Sequence, residues 1–122
     1  MSKEGITYDL EDRTTEFAKR VIRLCKAIPK NTINFPLIGQ SVRSAGSIGA
    51  NYREANDALG KKDFIHKLKI SRKEAKETLH WFELIEESNP ELSVRMQELK
   101  QENRELINIL SAIIRNSAKR KE

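Results

Sequence analysis

Apolar residues recur at steps of four and three along most of this 122-residue chain, which limits what it can fold into. Such steps keep side chains on one face of an α-helix, whereas a β-strand would need alternation at every second residue. The first segment shows the pattern with one polar member: Leu10, Thr14, Phe17, Val21, Leu24 and Ile28. Two later segments repeat it: Phe64, Leu68, Ser71, Ala75, Thr78, Leu79, Phe82 and Ile85, and then Leu92, Met96, Leu99, Asn103, Leu106, Leu110 and Ile113. The spacing predicts amphipathic helices that share one core.

Breakers and caps separate the first two helices. Pro29 ends the first helix, because a proline removes a backbone donor and clashes with the preceding turn. Asn31 and Asn34 are the turn or cap residues of the connection that follows. Pro36 is tolerated in the first turn of a second helix, where its missing N–H costs nothing. The sequence therefore predicts a short link between two helices.

Similar signals predict the remaining boundaries. The second helix is expected to run to about Leu59, where Gly60 supplies its C-terminal stop. Asp63 is the predicted N-cap of the third helix. Asn89 is predicted to cap the fourth, with Pro90 at its first position. Four helices with short connections predict an all-α, antiparallel up-down-up-down four-helix bundle.

One domain is expected over residues 1–122, with residues 1–8 and 116–122 as flexible tails. Charged residues make up 34% of the chain and aromatics 6%, a composition that favours helices over strands. A single cysteine, Cys25, excludes an internal disulfide and is expected to be a buried thiol. No apolar stretch approaches a signal peptide or a membrane span, so a cytoplasmic protein without a membrane partner is predicted.

The second helix is unusually rich in small residues between Ser41 and Ala58. Each glycine inside a helix costs about 1 kcal/mol relative to alanine. Gly46 and Gly49 therefore predict that another backbone passes close by. Two interpretations stay open: this is only the most tightly packed helix of the bundle, or its polar residues also form a subunit or ligand contact. Those polar residues include Arg43, Asn51, Arg53 and Glu54.

The sequence lacks the signatures of an enzyme, and we predict no enzymatic activity and no cofactor. There is no glycine-rich phosphate loop, Cys-x-x-Cys pair or nucleophile elbow. His66 and His80 lie fourteen residues apart on one helix, roughly 20 Å along its axis, too far to share a metal. One Glu-x-x-His pair exists, Glu77 with His80, but a di-metal bundle site needs a second such pair on a facing helix. No metal site is predicted.

A basic stripe runs along the third helix, opposite its apolar face. Its members are Lys62, His66, Lys69, Lys73, Lys76 and His80. With a net charge of +5, the chain favours polyanions, and four lysines along about 20 Å could meet successive phosphates. Lys119 and Arg120 add a basic tail. The alternative is an ordinary solvated face, with Glu74 and Glu77 as partners one helical turn away.

A mixed stripe of the third helix predicts a contact with another surface. It contains Ile70, Glu74, Glu77, Trp81 and Leu84. Apolar side chains that flank carboxylates are costly to leave in water, and Arg43 or Arg53 could bind those carboxylates. We predict an oligomer interface anchored on Trp81. Its residues are Arg43, Asn51, Glu54, Glu74, Glu77 and Trp81. The alternative places Trp81 at the edge of a monomeric bundle.

The runs FPLIGQSVRSAGSIGANYREA and DFIHKLKISRKEAKETLHWFELI also carry a family resemblance. They resemble the small four-helix-bundle proteins encoded in intervening sequences of bacterial 23S ribosomal RNA genes, a family related to the accessory variability determinant of diversity-generating retroelements. The matching positions are Gln40, Arg43, Ser44, Ser47, Ile48, Asn51, Glu54, Ala55, Phe64, Glu74, Ala75, Glu77, Thr78 and Trp81. The resemblance implies a homopentamer without known enzymatic activity, and association with nucleic acid or reverse transcriptase in some relatives.

The leading hypothesis is therefore a non-enzymatic oligomeric bundle that binds RNA or DNA through phosphate contacts. The second is a protein-interaction scaffold, such as an accessory subunit of a nucleic-acid enzyme. The third and least favoured hypothesis is an enzyme, because the sequence contains no recognisable set of catalytic residues.

Overall fold

A computed structural model describes the backbone of residues 3–120 and the side chains of residues 10–120. Four α-helices follow one another: α1 (Lys3–Ala27), α2 (Asn34–Asn56), α3 (Lys61–Ser88) and α4 (Ser93–Lys119). A single 3₁₀ turn, Pro90–Leu92, precedes α4. Each helix packs against two neighbours, in the cyclic order α1, α2, α3, α4. The predicted all-α four-helix bundle is confirmed.

The core forms from the predicted apolar faces. All six residues of the α1 seam are buried, and the Phe17 ring meets the Phe82 ring of α3 across the bundle at 6.2 Å. Cys25 is buried, as predicted. One register differs on α4, where Ile114 is buried and Ile113 only partly so. The step from Leu110 is therefore four rather than three, which is within the variation of a 3.6-residue period.

Hydroxyl groups line the contact between α2 and α3. The Thr78 hydroxyl lies 2.8 Å from the Ser44 hydroxyl and 2.8 Å from the Glu74 carbonyl oxygen. The Ser71 hydroxyl donates to the Ile48 carbonyl oxygen at 2.7 Å. Small side chains bring the two backbones close, and their hydrogen bonds offset the loss of water. This contact fixes how α2 presents its polar residues beside α3.

Only one of the two α2 glycines is required by close packing. A Cβ atom at Gly49 would lie 2.8 Å from the Thr14 Oγ1 of α1 and 3.2 Å from its Cβ. At Gly46 a Cβ atom would meet nothing within 4 Å, and the residue is exposed. The close approach predicted at Gly49 is confirmed, and that predicted at Gly46 is wrong because Gly46 faces outward.

Two predicted helix ends are wrong, and a third is right in position only. α2 ends at Asn56, three residues before the predicted end, and Leu59 lies in the following turn fully exposed to solvent. α3 begins at Lys61, so Asp63 lies in its first turn rather than at its cap. Asn89 and Pro90 occupy the N-cap and first positions of the 3₁₀ turn that leads into α4, as predicted, but the Asn89 side chain makes no capping hydrogen bond. It is buried instead, where it bonds Asn34 and the Ile85 carbonyl oxygen. Asn31 does act in its turn, accepting from the Ile33 and Asn34 amides.

The predicted tails fall partly within helices. The backbone of α1 begins at Lys3, and α4 continues to Lys119. Residues 1, 2, 121 and 122 of these predicted tails lie outside the described residues. None of the helices in the described part of the chain has the length and apolarity needed to cross a bilayer.

Candidate nucleic-acid and subunit interfaces

The basic stripe of α3 is one exposed surface, which we call the lysine face. Its residues are Lys62, His66, Lys69, Lys73, Lys76 and His80. All six are exposed and point away from the core, because they lie opposite Leu68, Ala75 and Phe82 on the helix. Beside its first turn is an open concavity of about 630 Å³. Lys62, Asp63, Ile65, His66 and Lys69 line it.

The four lysines of the lysine face form no ion pair with the described side chains. Among residues 10–120, none of Lys62, Lys69, Lys73 and Lys76 has a carboxylate within ion-pair distance. Glu74 and Glu77, the partners expected for a merely solvated face, bind Arg43 of α2 instead, although the charge of Lys73 still helps to lower the Glu77 pKa. The surface therefore has four ammonium groups available to an external anion.

The basic end of α4 lies at the same end of the bundle as the start of α3. The Lys61 ammonium at the start of α3 donates to the Arg120 carbonyl oxygen at the end of α4. Lys119 and Arg120 are exposed at this end. Lys61 is not among the basic residues predicted from the sequence to bind nucleic acid. Antiparallel packing of α3 and α4 was the signal that could have identified it, because it brings these two ends together.

Arg43 organises the groove between α2 and α3. Its Nη1 lies 3.3 Å from the Glu74 Oε1, its Nη2 donates to the Glu77 Oε2, and its Nε donates to the Gln40 Oε1 at 3.1 Å. The Trp81 indole N–H donates to the same Glu77 oxygen at 3.1 Å. Arg43 is thus the arginine that binds the two carboxylates. Arg53 instead turns to α1, where it bonds Glu11 and Thr15.

The network stabilises the ionised form of Glu77. The Trp81 indole N–H is the main cause of a Glu77 pKa below its ordinary value, and Arg43 adds to the effect. Trp81 is half-buried and contacts the His80 ring, with a centroid separation of 5.1 Å. Leu84, one turn further along, is 38% exposed. The groove therefore combines a satisfied polar network with apolar surface that the described chain leaves uncovered.

The other predicted interface residues lie on the same side of the bundle. The Glu54 Oε1 pairs with the Lys67 Nζ across the helices at 2.9 Å. The Asn51 amide donates to the Ser47 carbonyl oxygen at 2.9 Å. The six residues predicted at an oligomer interface are thus gathered along one α2–α3 groove, each with an intramolecular partner. Contact with a second subunit stays a prediction.

Within the described side chains there is no cluster of three or more His, Cys, Asp or Glu residues that could hold a metal. His66 and His80 are both exposed. Glu77, the carboxylate of the single Glu-x-x-His pair, is occupied by Arg43 and Trp81. The described surface assembles no donor set suited to metal chemistry.

The sequence profile of the 23S rRNA-intervening sequence proteins matches residues 8–112. The chain belongs to this family. A crystal structure of a protein of unknown function from the S23 ribosomal protein family of Bacteroides thetaiotaomicron is similar to it, with 36% identity and a TM-score of 0.78. The match covers 85% of this chain and 96% of that one. Among curated proteins, none matches this sequence.

Membership of the 23S rRNA-intervening sequence protein family agrees with the resemblance drawn from the second and third helices. The matched region contains the lysine face and the α2–α3 groove, but stops before Lys119 and Arg120. The crystallographic relative is itself of unknown function. The comparisons therefore show the family of the chain and the fold of its relative, and leave its activity open.

Proposed function

We propose that this protein is a non-enzymatic oligomeric bundle that binds RNA or DNA through phosphate contacts on the lysine face. The observation that carries the proposal is that Lys62, Lys69, Lys73 and Lys76 are exposed in one row without a carboxylate partner among residues 10–120. Lys119 and Arg120 are exposed at the end of the bundle where α3 begins. The printed name of the family refers to 23S ribosomal RNA, which makes RNA the first ligand to test.

The chemistry of this face favours recognition of the nucleic-acid backbone. Lysine ammonium groups are compact charges that bind phosphates without reading base edges. Apart from its two histidines the lysine face has no aromatic side chain, and without Phe, Tyr or Trp base stacking is not expected to dominate. Four lysines that each neutralise one phosphate predict a slope of about −3.6 for log affinity against log salt on a duplex. Binding should therefore be strongly salt-dependent and weakly sequence-dependent.

The test is a fluorescence anisotropy titration of labelled duplex RNA, single-stranded RNA and duplex DNA at several salt concentrations. The variant combines Lys69→Glu, Lys73→Glu and Lys76→Glu. The matched control combines Lys26→Glu, Arg104→Glu and Arg115→Glu, three exposed residues on α1 and α4, with the same change in net charge. We expect the first variant to lose affinity and salt slope, and the control to keep most of both. Equal losses would reject a localised site, and unchanged binding by the first variant would reject the proposal.

A second candidate, a protein-interaction scaffold, is favoured by the half-buried Trp81 and the exposed Leu84 in the α2–α3 groove. Such a scaffold would serve as an accessory subunit of a nucleic-acid enzyme, as the resemblance to the retroelement determinant implies. Aromatic anchors beside charged networks are typical of binding hot spots. A protein partner that is retained at high salt, while nucleic acid is lost, would favour this candidate over the first.

The oligomeric part of the proposal has its own test. Light scattering coupled to size exclusion gives the mass in solution, to be compared with the chain mass of 14.1 kDa. We expect a fivefold mass, as the family resemblance implies. The ratio of absorbance at 260 and 280 nm in the same peak reports co-purified nucleic acid. A monomeric peak would reject the oligomer but leave the lysine face available for the anisotropy test.

A further inference from the structure

A second basic site lies between α1 and α4, on helix surfaces separate from the lysine face. It is a recess of about 200 Å³ whose walls carry three arginines and one glutamate. The lining residues are Arg20, Arg23, Leu24, Arg95, Glu98 and Leu99. Leu24 and Leu99 are buried residues of the core, so the recess has an apolar floor under charged walls. We call it the arginine recess.

Most guanidinium donors of the arginine recess have no hydrogen-bond partner among residues 10–120. Arg95 reaches from α4 to α1, where its Nη2 donates to the Arg23 carbonyl oxygen at 3.4 Å. Arg23 donates through its Nη1 to Glu16 at 2.9 Å. Arg20 has no side-chain hydrogen bond or ion pair with any residue from 10 to 120. Since each guanidinium carries five N–H donors, the three arginines retain unfilled hydrogen-bonding capacity.

An arginine that is fully paired with carboxylates lies nearby, between the same two helices. The Arg13 Nε and Nη2 bind Glu102 at 2.7 and 2.9 Å, and the Nη2 also binds Glu105 at 2.6 Å. That fork is filled by carboxylates of the chain itself. In the arginine recess, by contrast, Glu98 is the one carboxylate among the described lining residues. The recess is therefore left with an excess of positive charge.

The local field agrees with this excess. Glu16 stands at the rim, and its pKa is lowered mainly by the hydrogen bond from Arg23, with Lys19 and Arg20 adding to the effect. Glu16 at the rim and Glu98 in the lining are two carboxylates against three arginines and Lys19, so positive charge remains in excess.

We propose that the arginine recess binds a single phosphate group, held by the guanidinium forks of Arg20, Arg23 and Arg95. Arginine forks match the paired oxygens of phosphate and are favoured where an anion is recognised by geometry. The recess is smaller than the roughly 300–1,000 Å³ of pockets that enclose a whole small molecule, so it fits a group rather than a complete nucleotide. This site goes beyond the proposed function, because it uses none of the lysine-face residues.

The test is a titration with inorganic phosphate at constant ionic strength, with chloride as the balancing anion, followed by amide NMR shifts of α1 and α4. We expect saturable shifts around Arg23 and Arg95 with a millimolar dissociation constant. Arg20→Gln should weaken binding about tenfold, because a hydrogen bond to a charged group is lost. Arg20→Lys should recover only part of the loss, since it restores the charge without the fork.

Glu98→Gln gives the opposite sign. Removing the one lining carboxylate should strengthen phosphate binding, a gain that misfolding cannot imitate. Arg115→Gln, an exposed arginine elsewhere on α4, is the matched control and should leave affinity unchanged. No saturable shift, equal effects of Arg20→Gln and Arg115→Gln, or weaker binding by Glu98→Gln would overturn the proposal.

Two sources of the phosphate group can be distinguished with the Lys69→Glu, Lys73→Glu, Lys76→Glu variant. An oligonucleotide with a 5′-phosphate should compete with inorganic phosphate better than the same strand without it, if the recess takes a nucleic-acid end. Equal competition by the two strands, with inorganic phosphate still bound, would assign the recess to free phosphate. Either result leaves the site in place even where the lysine face fails its own test.

Discussion

Asn34 and Asn89 form a reciprocal pair of amide hydrogen bonds at one end of the bundle. Each Nδ2 donates to the Oδ1 of the other residue at 2.9 Å, and both side chains are buried. Asn34 also donates to the Pro29 carbonyl oxygen, while Ser88 donates to the Asn34 Oδ1. The pair therefore joins the α1–α2 connection to the α3–α4 connection, with all of its polar atoms satisfied.

Asn34→Asp is expected to destabilise the fold by about 3 kcal/mol or more at pH 7, because a buried carboxylate replaces an amide donor that serves two acceptors. Burial would raise the pKa of the new aspartate above the unfolded value of about 3.9. The loss of stability should therefore grow as pH rises from the unfolded pKa to the folded pKa, and should shrink toward pH 3. Denaturant unfolding measures this. Asn108→Asp, at an exposed position of α4, should change stability little; an equal loss would contradict the role of the pair.

Gly49→Ala and Gly46→Ala should change stability in opposite directions. A Cβ at position 49 meets Thr14 of α1, and overpacking costs typically about 1–3 kcal/mol. A Cβ at position 46 meets nothing within 4 Å, so the helix gains about 1 kcal/mol from alanine. Thermal unfolding of both variants measures the difference.

Thr14→Ala should partly rescue Gly49→Ala, because it removes the Oγ1 atom that the new methyl group would meet. A double-mutant cycle between the two positions gives the coupling. Zero coupling would show that the cost of Gly49→Ala does not arise at the Thr14 side chain, and would contradict the close approach between the two residues.

Trp81→Ala should lower the oligomer mass more than it lowers the melting temperature. Trp81 lies half-buried in the α2–α3 groove, and we propose that a second subunit covers it. Light scattering coupled to size exclusion, together with thermal unfolding, separates the two effects. Val94→Ala, an exposed apolar residue at the start of α4, is the control and should change neither. Unchanged mass with a lower melting temperature would assign Trp81 to the edge of a monomer.

Cys25 should resist alkylation in the native protein. Burial raises the pKa of the Cys25 thiol to about 11, against the ordinary value near 9, although Lys30 opposes the shift. Because the folded pKa is the higher one, this contribution to stability is present below the unfolded pKa and is lost as pH rises toward 11.

Iodoacetamide labelling at pH 8, native and denatured, measures the reactivity of Cys25. The pH dependence of unfolding between pH 8.5 and 11, compared with that of Cys25→Ala, isolates its titration from that of lysines and tyrosines. Rapid labelling of the native protein would contradict the buried thiol.

Sequence periodicity predicted the core because a 3.6-residue repeat fixes which side chains share a face. The α1 seam from Leu10 to Ile28 is buried as expected. Helix ends were harder, since local signals compete with tertiary contacts. Asn89 has the side chain of a cap, but a buried partner on another connection, Asn34, takes up its amide.

The candidate surfaces were also predictable to different degrees, because one depends on a single helix and the others on contacts between helices. The lysine face needs only the repeat of one helix, and its exposure followed from the sequence. The partners of Glu74 and Glu77 depend on the register between α2 and α3, which places Arg43 opposite them. The arginine recess needs the register between α1 and α4. Neither register can be read from one helix at a time.

The turn between α2 and α3 contains the fully exposed Leu59, whereas the other end of the bundle contains the buried Asn34–Asn89 pair. No apolar contact of the Leu59 side chain resists opening of this turn, whereas the buried amide pair holds two connections together at the other end. Local fluctuations should therefore begin around residues 57–60 and reach Asn34 and Asn89 only on global unfolding. A protease that cuts after leucine would open the native chain first at Leu59 and leave two helical hairpins held together by the core.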